Sequence, residues 1–157
     1  DQNSSLTSLA DVNREEQSGA VWIDALHKGY ESLLGLRHRR RLYLDSDGEG
    51  VRGEDQIALV REVSTDGLHT RALAARFHLH PSVRASLIRN NDAVLLRLPS
   101  GVGWQFHAKG GEISLNESIY FGDGGVRRRT EQIAVSSSTT TGVRVLKWAF
   151  QRVTAPT

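Results

Sequence analysis

The sequence predicts an all-β protein, a sandwich or a barrel, and three observations carry that expectation. Apolar or alternating runs of a few residues recur about every ten residues from Ala20 onward, the spacing of half-buried strands joined by short turns. Asn, Asp, Gly and Pro separate these runs, residues that either tolerate positive φ or preset a turn. The chain has 157 residues, 38% of them hydrophobic and 24% charged, the proportions of one ordinary domain with one core.

Taken in order, residues 1–18 (DQNSSLTSLADVNREEQS) are polar, with Leu6 and Leu9 as the only large apolar side chains. They are expected to form an extended arm or loop, leaving residues 19–157 as a single domain. AVWIDAL, RRRLYL and DQIALV then alternate as strands do, with Asp45-Ser46-Asp47-Gly48 as the turn after RRRLYL. The next stretch conflicts with this pattern, because Leu68 to Phe77 (LHTRALAARF) favours a helix by composition. Phe77 to His80 alternates and stops at Pro81, which suits a strand end, so no helix is expected beyond Ala74. Asn90-Asn91-Asp92 separates ASLI from AVLLRL, and Pro99-Ser100-Gly101 separates AVLLRL from GWQFHA. EISLNESIYF, a loop at Phe121 to Gly125, EQIAVS, a surface excursion at Ser136 to Gly142, and VRVLKWAFQRV complete the chain. Trp104 with Phe106, and Trp148 with Phe150, alternate onto one face and are expected to fill a core.

Composition removes several functions. No cysteine is present, which excludes disulfides, thiolate metal sites and a Cys nucleophile. No apolar run approaches the ~20 residues that a membrane-crossing helix needs. Of the 20 basic residues 17 are Arg, and the net charge is only +2. Such a chain suits carboxylates and sulfates through the guanidinium fork but lacks the single basic face that nucleic acid demands. Neither a nucleic-acid nor a membrane partner is expected. No GxSxG, GxxxxGK[ST] or HExxH stretch occurs.

Three constellations carry candidate chemistry. His78 and His80 stand two apart on a strand and so share a face, which is metal-ligand spacing. A third ligand would come from His107, His69, His38 or a carboxylate; without one, the two rings simply cover a sheet. Arg39, Arg40 and Arg41 form the densest basic run and are the candidate substrate-binding residues, with Arg127-Arg128-Arg129 second. Alternatively these arginines pair with carboxylates on neighbouring strands, such as those of Gly53-Glu54-Asp55. His27 and Tyr30 are spaced for an acid and base pair, although Gly29 beside them signals a turn.

ALHKGY, LRHRRRLYLDSDGEGVRGEDQI, ARFHLHPSVRASL, VLLRLPSGVGWQFHA, LNESIYFGDGGVRRRTEQIAV and KWAFQRV, taken together, resemble the C-terminal half of heparinase II/III-like proteins, bacterial relatives of polysaccharide lyases. The likeness runs from about Asp1 to Val153, and RHRRRLYLD with GED, FHLHP and RRRTEQI are its most specific pieces. The family joins an N-terminal α/α toroid to a C-terminal antiparallel two-sheet β-sandwich, so the resemblance implies a sandwich without its toroid partner.

The resemblance further implies that a full-length parent cleaves acidic, uronate-containing polysaccharide by β-elimination, in the periplasm or cytoplasm of a bacterium. The family's catalytic Tyr and His come largely from the toroid, and its metal-binding His and Asp from HxHxD-like and AHN-like segments that do not occur here. Asp1 would fall just after the last metal ligand. No catalytic residue is therefore carried over, Tyr30 matches a family position without an assigned role, and the isolated segment is expected to be inactive. No cofactor is expected in this segment, with a divalent metal in the parent. The alternatives are a non-catalytic carbohydrate-binding or scaffold module, and a cupin-like metal hydrolase built on His78 and His80. A sandwich lacking its first strands would pair as a homodimer unless residues 1–18 cover the open edge.

Overall fold

The computed structural model of the chain describes residues 9–61, 71–139 and 142–153. Two antiparallel sheets face one another, as expected for the sandwich. The larger contains β1 (Leu9–Gln17), β2 (Ala20–His27), β3 (Leu36–Leu44), β4 (Gly50–Leu59), β6 (Arg84–Ile88), β7 (Ala93–Arg97), β8 (Gly103–Lys109) and β11 (Val143–Val153). Its order is β1-β2-β3-β4-β11-β8-β7-β6, and the smaller sheet is β5-β10-β9, built from β5 (Arg71–His78), β10 (Arg127–Thr139) and β9 (Glu112–Phe121). A single helical turn, α1 (Glu31–Leu34), precedes β3 and ends at Gly35 with φ of 65°. No described helix is long and apolar enough to cross a membrane.

Local chemistry explains most of these elements. Ser18 and Gly19, both at positive φ, make the two-residue turn that joins β1 to β2. Asp45 to Gly48, Asn90 to Asp92 and Pro99 to Gly101 turn the chain where the sequence predicts. Gly110 sits where the chain leaves the large sheet for the small one; a side chain there would place Cβ 2.3 Å from the Val145 carbonyl oxygen, so only glycine permits the crossing.

Three segments differ from their expected form. Within the polar segment 1–18, residues 9–17 pair with β2 as the outermost strand. β10 runs on through Ser136, Ser137 and Ser138, because β5 offers a pairing partner to each. Tertiary pairing likewise makes Arg71–His78 a strand despite its helical composition, and residues 62–70 lie outside the described residues.

The core lies between the sheets. Phe106, Val94, Ile133 and Val135 are fully buried. Phe77 of β5 reaches across to Phe106, Trp148 and Phe150, with ring centroids 5.1, 4.7 and 5.5 Å away. This aromatic group clamps the small sheet onto β8 and β11.

Candidate functional site

The most heavily bonded polar group in the described structure is Asp55, only 4% exposed on β4. Antiparallel register sets His38 and Arg40 of β3 opposite Ile57 and Asp55 of β4, so all three polar side chains point between the sheets. Arg40 donates from Nε to Oδ1 at 2.6 Å and from Nη2 to Oδ2 at 3.0 Å, the bidentate fork that guanidinium favours. His38 Nε2 lies 2.7 Å from Oδ1, and since a carboxylate only accepts, the proton is on Nε2. Trp148 Nε1 donates to Oδ2 at 2.8 Å from β11.

That last bond requires a particular glycine. Trp148 pairs with Gly53 rather than Asp55 in the strand register, so its indole must lie across the β4 backbone to reach the carboxylate. A Cβ on Gly53 would stand 2.1 Å from Trp148 Cζ2. Glycine therefore places the indole, and the indole joins the polar cluster to the aromatic core.

Burial alone would raise the Asp55 carboxyl, but hydrogen bonds from His38, Arg40 and Trp148 outweigh it and hold the group well below the ordinary carboxylate range. Asp55 is thus an ionised acceptor whose lone pairs are spent on protein donors. It has no capacity left to take a proton from a substrate near neutral pH.

Beside this cluster opens a cleft of about 500 Å³ between β3, β4 and β5. Its walls are mostly aliphatic, from Leu36, Ile57, Leu73 and Leu146, with His38, Arg40 and Asp55 at one side and Tyr30 at the mouth. His27 meets the Tyr30 ring edge-on at 5.0 Å, so these two are neighbours, packed ring against ring.

The other predicted residues fall in separate places. Arg39 and Arg41 point to the opposite, outer face of the large sheet. There Arg39 forms a fork with Asp24, with Nε 2.7 Å from Oδ1, and this hydrogen bond lowers the Asp24 carboxyl from its usual value. Arg41 bonds Glu54 at 3.2 Å. All three arginines are therefore held by carboxylates, two of which, Glu54 and Asp55, come from the segment the sequence offered as the source. Arg129 pairs with Glu117, and Arg127 lies over the Phe121 ring.

His78 Nδ1 lies 2.8 Å from Ser118 Oγ, while His80 Nδ1 accepts from the Ser82 main-chain N–H at 3.2 Å. His107 belongs to β8 and His38 to the Asp55 cluster, so the structure does not gather them around His78 and His80; His69 lies outside the described residues. Among the described residues no group of three His, Asp or Glu could hold a metal ion.

Residues 1–149 match the family described as heparinase II/III-like, C-terminal. The chain belongs to this family. FtsZ-localized protein C of Caulobacter vibrioides is 37% identical over 130 residues, covering 81% of this chain and 22% of that protein. Heparan sulfate lyase HepC from Pedobacter heparinus shares the fold with a TM-score of 0.73 at 12% identity, covering 96% of this chain and 22% of the lyase. A heparinase III gives 0.69 at 9% identity over 92% of this chain, again 22% of the other. This heparinase II/III-like C-terminal domain thus spans about a fifth of the length of the relatives it matches.

Sequence reasoning offered Asp55 as one carboxylate partner among several and passed over Trp148 as its ligand. The two stand 93 residues apart, and only the β4 to β11 pairing brings them together. The available signal was Gly53, an isolated glycine inside a strand pattern, which marks a close approach.

Proposed function

We propose that this chain is the supporting sandwich of a lyase-type protein whose full-length form cleaves an acidic, uronate-containing polysaccharide by β-elimination, and that the sandwich contributes no elimination chemistry by itself. The observation that carries this reading is the likeness of 96% of the chain to 22% of a heparan sulfate lyase. β-Elimination needs a base to remove the proton beside the uronate carboxylate, a cation to neutralise that carboxylate, and an acid to protonate the departing glycosidic oxygen. In the inter-sheet cleft, His38 donates to Asp55 and Arg40 is bound to the same carboxylate. The cluster is occupied with its own charge.

The test is to incubate the 157-residue chain and the longer protein with uronate polymers and follow the ultraviolet absorbance of the unsaturated product. The longer protein is expected to form product and the chain to form none. Absence of product from the longer protein with every acidic polymer would remove the reading.

A second reading, a non-catalytic carbohydrate-binding or scaffold module, is favoured by one observation. The relative at 37% identity is named for localising with FtsZ and not for a reaction. A fluorescent fusion of the longer protein that gathers with FtsZ while yielding no elimination product would favour this module.

A further inference from the structure

The outer face of the large sheet carries a groove of about 480 Å³ that the cleft between the sheets does not reach. Antiparallel register lays two rows of side chains across it. One row runs Asp24 of β2, Arg41 of β3, Glu54 of β4, Lys147 of β11 and Lys109 of β8. The other runs Trp22, Tyr43, Arg52, Ala149 and His107 on the same strands.

The charges of the first row do not balance. Among the described residues Glu54 is the only carboxylate lining the groove, and it is shared between Arg41 at 3.2 Å and Lys147 at 3.4 Å. Lys109 stands directly opposite Lys147, and among the described residues no carboxylate pairs with it. Like charges facing each other across a strand pair are unfavourable, and the one carboxylate that reaches Lys147, Glu54, is already shared with Arg41.

The second row supplies a wall and a floor. Trp22 is 53% exposed, which is unusual for so large a ring, and tilts against Tyr43 with centroids 4.3 Å apart. The Arg52 guanidinium lies over the Tyr43 ring, 4.4 Å from its centroid. Ala149, the smallest side chain of the row, leaves the floor open between Arg52 and His107.

We propose that this groove binds an acidic saccharide, with a sulfate or carboxylate between Lys109 and Lys147 and a sugar face on Trp22. The cations alone call for an anion, and the exposed indole calls for a ligand with a flat apolar face. The choice of a sugar over another polyanion rests on the lyase-type reading above. Four strand spacings separate Trp22 from Lys109, roughly 19 Å, so the ligand is an oligosaccharide and not a single ring.

The test uses the 157-residue chain and a heparin-derived hexasaccharide, followed by calorimetry and by tryptophan fluorescence. The wild type is expected to bind, with inorganic sulfate competing weakly and an uncharged oligosaccharide of the same length failing to bind. Lys109→Ala with Lys147→Ala should weaken binding about tenfold or more. Lys109→Ala alone should leave thermal stability equal or higher, because it relieves the facing charges, and Trp22→Ala should abolish the fluorescence change. Arg129→Ala, on the small sheet, should bind as the wild type does.

Unchanged affinity in the double lysine variant, or no binding by the wild type, would overturn the groove. A single-stranded oligonucleotide that binds more tightly than the hexasaccharide would overturn the sugar assignment. Elimination by the longer protein is scored separately. Product formation with the groove variants unaffected in binding would sink this inference and spare the lyase-type reading; groove binding without any product would do the reverse.

Discussion

Asp55 shows how one buried carboxylate sets a local structure. Its three donors come from β3 and β11, so losing the acceptor leaves a guanidinium, an imidazole and a buried indole N–H without their shared partner. Breaking such a buried pair costs about 3 kcal/mol or more, and Asp55→Asn is expected to destabilise by that order in urea denaturation. The sign of its pH dependence follows from the lowered native value. In the unfolded chain the group titrates near its ordinary value of about 3.9, so its contribution is fully present above that pH and fades as pH falls toward the native value. Wild type and Asp55→Asn should therefore differ most near neutral pH and converge in acid. A gap that stays constant down to strongly acidic pH would mean that the carboxyl is not held ionised. Gly53→Ala tests the same cluster from the backbone side: the indole must shift, at a cost of about 2 kcal/mol, with a changed Trp148 fluorescence.

At the level of strands, β5 carries more than its length suggests. Phe77 is its link to three aromatic rings of the large sheet, and Phe77→Ala is expected to cost about 4 kcal/mol by thermal or chemical denaturation. A loss below about 1 kcal/mol would show that the small sheet is held mainly by other contacts. β5 also marks where the sequence could and could not be read. Alternation identified Phe77 to His80 as extended, and the turn residues placed most hairpins, because both signals are local. The continuation of β10 through Ser136 to Ser138 was hidden, since serine has no strong strand preference and the partners that hold it lie on β5 and β9. Asp55 with Trp148, and Lys109 with Lys147, were hidden for the same reason. Both depend on β11 entering the middle of the large sheet between β4 and β8, which no run of neighbouring residues encodes.

For the molecule as a whole, the two sheets differ greatly in width, eight strands against three. β1 forms one outer edge of the larger sheet and carries Arg14, Glu15 and Glu16, charges that disfavour further strand addition. It pairs with β2 along its length and covers that edge. Light scattering should give the mass of a monomer, and a stable dimer would point to a different exposed surface. On the proposed reading, the polar cluster of the sandwich serves folding and the reaction lies elsewhere in the longer protein. The most direct measurement is the unsaturated uronate product formed by the isolated chain, assayed beside its His38→Ala variant and the longer protein. Product from the longer protein alone is the predicted result. Product from the isolated chain that disappears on replacing His38 would put the chemistry in the inter-sheet cleft and contradict the account.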